Sequence, residues 1–169
     1  MPFTPLHCGP GMMVKALAPR QFSICVFTLT QVAMDVEVLW NGFARGALLH
    51  GPCHTYRGAS VVAAVCFLAG KPASELIKKT WNRAAARCAN ANLAVPERTS
   101  WPASFTAAAF GAYSHILLDS MMHTDMQPLQ PWSARNPLFG LIDPMLLQGL
   151  CLLLGVAGLV LYFSRGKEG

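Results

Sequence analysis

Four apolar stretches constrain this chain more than anything else in it. They are FSICVFTLTQVAMDVEVLW (22–40), GASVVAAVCFLAG (58–70), WPASFTAAAFGAYSHILL (101–118) and LFGLIDPMLLQGLCLLLGVAGLVLYF (138–163). A helix needs about 20 mostly apolar residues to cross the hydrocarbon core of a bilayer. The last stretch meets that length, the first and third approach it, and the second reaches it if its helix begins near Cys53. Hydrophobic residues make up 53% of the chain and mean hydropathy is +0.38, above the soluble norm. The pattern predicts an all-α fold, a polytopic integral membrane bundle of about five helices forming one domain over residues 1–169.

Prolines and capping residues divide the chain. Thr4 and Pro5 suit the N-cap and first position of a helix, and Pro19 stops it, so the first helix is short, about 5–18. The second is expected over about 21–41, in an antiparallel hairpin with the first. Helices follow at about 53–70, 102–122 and 139–164, with a basic, partly helical loop at 71–100. The opening MPFTPLHCGPGMM lacks the positive leader and small-residue cleavage site of a signal peptide, so it is expected to belong to the mature fold.

The net charge of +5 sorts by side of the expected membrane. Lys15, Arg20, Lys71, Lys78, Lys79, Arg83, Arg87, Arg98, Arg165 and Lys167 fall on one side, ten of the 13 lysines and arginines. The positive-inside rule makes that side, and the loop 71–100, cytoplasmic. A single aromatic residue, Trp81, falls among the charges of the basic loop, too few for base stacking, so nucleic acid is not expected as a partner. The other side holds Arg45, Arg57 and Arg135, together with all five histidines (His7, His50, His54, His115, His123) and the aspartates Asp35, Asp119, Asp125 and Asp143. Trp40, Trp101 and Trp132 stand where interfacial anchors belong.

Imidazole and carboxylate together suit a divalent metal, zinc above all, with manganese or iron as alternatives. The i, i+4 spacing in HILLD puts His115 and Asp119 on one helix face. His50 and His54 share that spacing, although Gly51 and Pro52 place His50 ahead of the helix. Asp35 and Glu37 point in different directions, and Asp35, the deeper, is the preferred ligand. His7, His123 and Asp125 complete the candidate set. Ionisable groups near a membrane interior are costly and need a partner or a purpose. A metal here would activate water, a carboxylate such as Asp35 or Asp119 would act as base, and Arg57 would hold a phosphate oxygen. Asp143, before Pro144, reads as a helix cap. Among six cysteines without CxxC spacing, Cys8 and Cys53 adjoin histidines and leave open a disulfide, a thiolate ligand or a small hydrophobe.

At these residues the chain resembles the YdjM-like membrane-bound metal-dependent hydrolases. TPLH (4–7), MDVE (34–37), HGPCHT (50–55) and SHILLDSMMH (114–123), with QPLQPWS after it, are similar to that family's motifs over most of the chain. The resemblance implies ligand roles for His7, Asp35, His54, His115 and Asp119. The His50–His54 spacing is one residue tighter than the commonest family pattern, Gly51 stands where an Arg is frequent, and His123 stands where Thr is common. The family's distant similarity to zinc-dependent phospholipase C and P1-type nucleases implies a phosphoester substrate, such as a membrane lipid, cleaved at the extracytoplasmic face of a bacterial inner membrane. The alternatives are a metal-binding or transport protein without hydrolysis, and a structural protein whose polar cluster only anchors helix ends. A transporter needs polar residues through the midplane, where the apolar runs here hold little beyond Gln31 and Gln148.

Overall fold

The computed structural model describes residues 5–44, 49–88 and 93–165. Thr4, Arg45 and Lys167 of the sequence reading lie outside them. The described residues form five α-helices and no strand: α1 (Cys8–Leu17), α2 (Ile24–Ala44), α3 (Tyr56–Arg87), α4 (Trp101–Met122) and α5 (Pro144–Arg165). Single 3₁₀ turns, Pro5–His7 and Pro52–His54, lead into α1 and α3. Among these, α2, α3 and α5 are long and apolar enough to cross a membrane.

The helix starts follow from local chemistry. The Thr55 hydroxyl accepts from Gly58 N–H at the head of α3, and the Ser100 hydroxyl accepts from Ala103 N–H at the head of α4. Asp143 Oδ1 accepts from the N–H groups of Met145 and Leu146, which sets the start of α5 at Pro144, five residues later than the apolar run suggests. The basic segment expected as a loop is largely a continuation of α3. That helix runs 32 residues through Pro72, about 48 Å against the roughly 30 Å of a hydrocarbon core, because strong helix formers follow the proline.

α4 organises the bundle. Its buried stripe runs Ala103/Ser104, Ala107/Ala108, Gly111/Ala112, His115/Ile116 and Asp119/Ser120, advancing four residues at each step and so staying on one face. Small residues let α2 and α3 approach closely, as helices without a hydrophobic drive between them require. A Cβ on Gly111 would sit 3.0 Å from Thr30 Cβ. Cross-helix hydrogen bonds tie the faces together: Gln31 Nε2 of α2 donates to Gly111 O of α4, and Ser104 Oγ of α4 donates to Phe67 O of α3. His115 and Asp119 continue the same stripe, so whatever packs α4 also aims these two side chains inward.

α1 turns back into α2 as expected, yet it packs chiefly on α5, the last helix in sequence. The two run parallel with their backbones in contact. A Cβ at Gly9 would fall 1.8 Å from Cys151 O, and one at Gly158 would fall 2.6 Å from Met13 N. At ten residues α1 is about 15 Å long, half a bilayer core. Its N-terminal end therefore stops inside the bundle, and that end carries His7.

Gly9→Ala is expected to lower the thermal unfolding temperature of the purified protein in detergent, through overpacking that costs about 1–3 kcal/mol. Gly149→Ala, whose added Cβ meets nothing within 4 Å, should leave it unchanged or slightly raised. Thermal melts of the two variants beside the native chain test this.

Candidate metal centre

Three parts of the fold bring all five histidines to one place. The turn before α1 supplies His7, the segment entering α3 supplies His50 and His54, and α4 with its exit supplies His115 and His123. Their rings form a connected chain, with centroids 5.2 Å apart for His7–His115, 5.4 Å for His115–His54, 4.9 Å for His54–His50 and 4.5 Å for His50–His123. Asp119 sits among them. Its Oδ1 lies 3.6 Å from His7 Nε2 and 4.0 Å from His123 Nε2, while its Oδ2 lies 3.1 Å from His115, 3.8 Å from His50 and 3.9 Å from His54 Nε2. Asp35, from α2, places Oδ1 3.6 Å from His115 Nε2.

The outward ring nitrogens explain why the inward ones point where they do. His54 Nδ1 donates to Glu37 Oε2 at 3.0 Å, and His50 Nδ1 donates to Asp125 Oδ2 at 2.9 Å. His115 Nδ1 stands 2.7 Å from Gln31 Oε1. Because the Gln31 amide nitrogen donates to Gly111 O, its oxygen is the atom facing the ring, and His115 must donate there. With Nδ1 donating outward in three rings, their Nε2 atoms turn toward the Asp119 carboxylate. His7 Nδ1 and Nε2, His54 Nε2 and His115 Nε2 are buried with no hydrogen-bond partner. Histidines that ligate metals are held in this way, one nitrogen on a carboxylate or amide and the other free for the ion.

Burial lowers the pKa of His7 to about 4 despite the nearby Asp119 charge, so its ring stays neutral and its lone pair stays available at ordinary pH. Burial likewise lowers that of His123. Burial would raise that of Asp125, but the hydrogen bonds it accepts from the His50 ring and backbone prevail and hold it below the usual carboxylate range. An ionised Asp125 is what keeps the proton on His50 Nδ1. Three groups could each hold a metal ion: His7/His115/Asp119, His50/His54/Asp119 and His50/His123/Asp125.

Among the residues singled out from sequence, the structure gathers His7, Asp35, His50, His54, His115, Asp119, His123 and Asp125 in this cluster. Arg57 lies apart, exposed on the first turn of α3, with no hydrogen bond or ion pair among the described residues. Asp143 caps α5. All six cysteines are free, and Cys53 takes part only through its backbone N–H, which donates to Glu37. The orienting roles of Glu37 and Gln31 escaped the sequence reading. The signal was present: Gln31 lies four residues before Asp35 in an apolar run, where a lone amide needs a partner.

A helical bundle with three membrane-length helices and a buried His/Asp cluster able to hold a metal ion is the class that this fold and site define. The model of a domain of unknown function, DUF4184, matches residues 1–168, and the chain belongs to that family. No curated protein and no solved structure matches it.

Glu37→Gln removes the carboxylate that fixes His54 while leaving every histidine and Asp119 in the chain. Affinity for zinc is expected to fall roughly ten- to a hundredfold, measured by competition with a chromogenic chelator.

Proposed function

We propose that the protein is an integral-membrane, metal-dependent hydrolase that cleaves a phosphoester, with a phospholipid-like substrate the best fit. The observation that carries this reading is the set of buried histidine nitrogens that face the Asp119 carboxylate without a hydrogen-bond partner. The donor set, imidazole nitrogen with carboxylate oxygen, fits zinc, with manganese or iron as alternatives. Bound there, such an ion supplies a water acidified enough to attack near neutral pH.

The chain's own residues would divide the remaining work. His7, His50, His54, His115 and Asp119 bind, while Gln31, Glu37 and Asp125 orient the rings. Asp35 approaches His115 but has no orienting task, which leaves its carboxylate to take the proton from the attacking water. The resemblance to YdjM-like hydrolases supports the same reaction class, by analogy at the level of family.

Depth supports a lipid. His115 lies about two turns inside the end of α4, and Asp35 about two and a half turns inside the end of α2. α5 leaves Leu152, Leu153, Val156, Val160 and Phe163 exposed, an apolar surface suited to acyl chains. A groove of about 220 Å³ between α1 and α5, bounded by Leu6, Met12, Leu152 and Val156, begins beside His7 and suits an apolar tail. Lys15 and Arg165 lie at the opposite end from the cluster, a distribution that by the positive-inside rule supports an extracytoplasmic site, in keeping with a bacterial inner-membrane protein. A transport reading gains nothing from Gln31, which is occupied in holding His115 and Gly111.

The protein purified in detergent is expected to carry stoichiometric metal by elemental mass spectrometry and to hydrolyse phospholipid or a chromogenic phosphodiester. The His115→Ala/Asp119→Ala double variant should lose both properties. A folded native sample that takes up no zinc, manganese or iron would overturn the proposal.

A further inference from the structure

We infer that the cluster holds two divalent cations side by side, with Asp119 bridging them: one taken by His7 and His115, the other by His50 and His54. This rests on the reading of the cluster as a metal centre and adds its nuclearity and the role of each ligand.

The ligand atoms fall into two sets. His7, His115 and Asp119 present atoms all within 4.8 Å of one another, and so do His50, His54 and Asp119. Asp119 is the one residue common to both. It has two oxygens to give: Oδ1 approaches His7 at 3.6 Å, and Oδ2 lies between the two pairs, 3.1 Å from His115, 3.8 Å from His50 and 3.9 Å from His54. A carboxylate embedded between two histidine pairs is the geometry of a bridging ligand, and paired catalytic ions typically lie about 3.5–4 Å apart.

The orphaned nitrogens make the stronger argument. Buried polar atoms are almost always satisfied. Here the partnerless atoms occur in both sets: His7 Nδ1, His7 Nε2 and His115 Nε2 in the first, His54 Nε2 in the second. One ion in either set would leave the other set's nitrogens buried and unsatisfied. One tetrahedral ion also needs only four ligands, fewer than the four histidines and two aspartates gathered here. The outermost group, His50 with His123 and Asp125, is not a third position. Asp125 already accepts the Nδ1 proton of His50 and two backbone N–H groups, those of Leu49 and His50.

The test is a cobalt(II) titration of the full chain in detergent after chelator stripping, followed by visible absorption and electron paramagnetic resonance. Two equivalents per chain, with the second equivalent quenching the signal of the first through magnetic coupling, is the expected result. Zinc content by elemental mass spectrometry should fall from two per chain to one in His7→Gln and in His54→Gln. Saturation at one equivalent in the native chain overturns the pair whatever the variants do. One ion with phosphoester hydrolysis intact would end this inference and leave the hydrolase standing. Two coupled ions with no hydrolysis would sustain the inference and remove the hydrolase reading.

Discussion

The Asp119 carboxylate, buried at the end of the α4 stripe, is the constraint around which the rest of the molecule is arranged. A buried charge without a counter-charge is among the most expensive features a fold can hold. Protonating the histidines would answer it only by crowding several imidazolium charges into one site. A divalent cation would satisfy the carboxylate and the partnerless nitrogens together. Each neighbouring element supplies either an inward donor atom or the group that turns one inward.

The packing that makes this possible is one of small residues. Alanine, serine and glycine along α4 bring α2 and α3 close enough for Gln31 and Glu37 to reach histidines on other segments. The backbone contact at Gly9 and Gly158 does the same for His7, seating a short helix so that its first turn ends beside the cluster. α4 is therefore poor in bulky side chains where it is most buried. Its burial comes from surrounding helices, whereas the outer surfaces of α3 and α5 keep large apolar side chains exposed. That division matches helices facing hydrocarbon on the outside and one another on the inside.

The cluster lies below the helix ends, with His115 about two turns inside the end of α4 and Asp35 about two and a half turns inside the end of α2. The same depth keeps bulk water from competing for the ligands, which strengthens every electrostatic interaction inside.

Helix number, the approximate spans and the separation of histidines from basic residues were legible in the sequence, because they depend on runs of hydrophobicity and on proline and capping residues that act locally. The HILLD spacing alone put His115 and Asp119 on one face. Beyond that the sequence was silent for a physical reason: contacts between segments distant along the chain leave no local pattern. Nothing near α1 says that it packs on α5, a partner more than a hundred residues away, because the glycines that allow it read equally well as loop residues. Nothing in MDVE says that Glu37 orients His54 while Asp35 faces the centre. The sequence by itself determined a helical bundle with acids and histidines at one end; only the tertiary structure decided which nitrogen of each ring faces Asp119, because that choice belongs to hydrogen-bond partners 17, 75 and 84 residues apart in the chain.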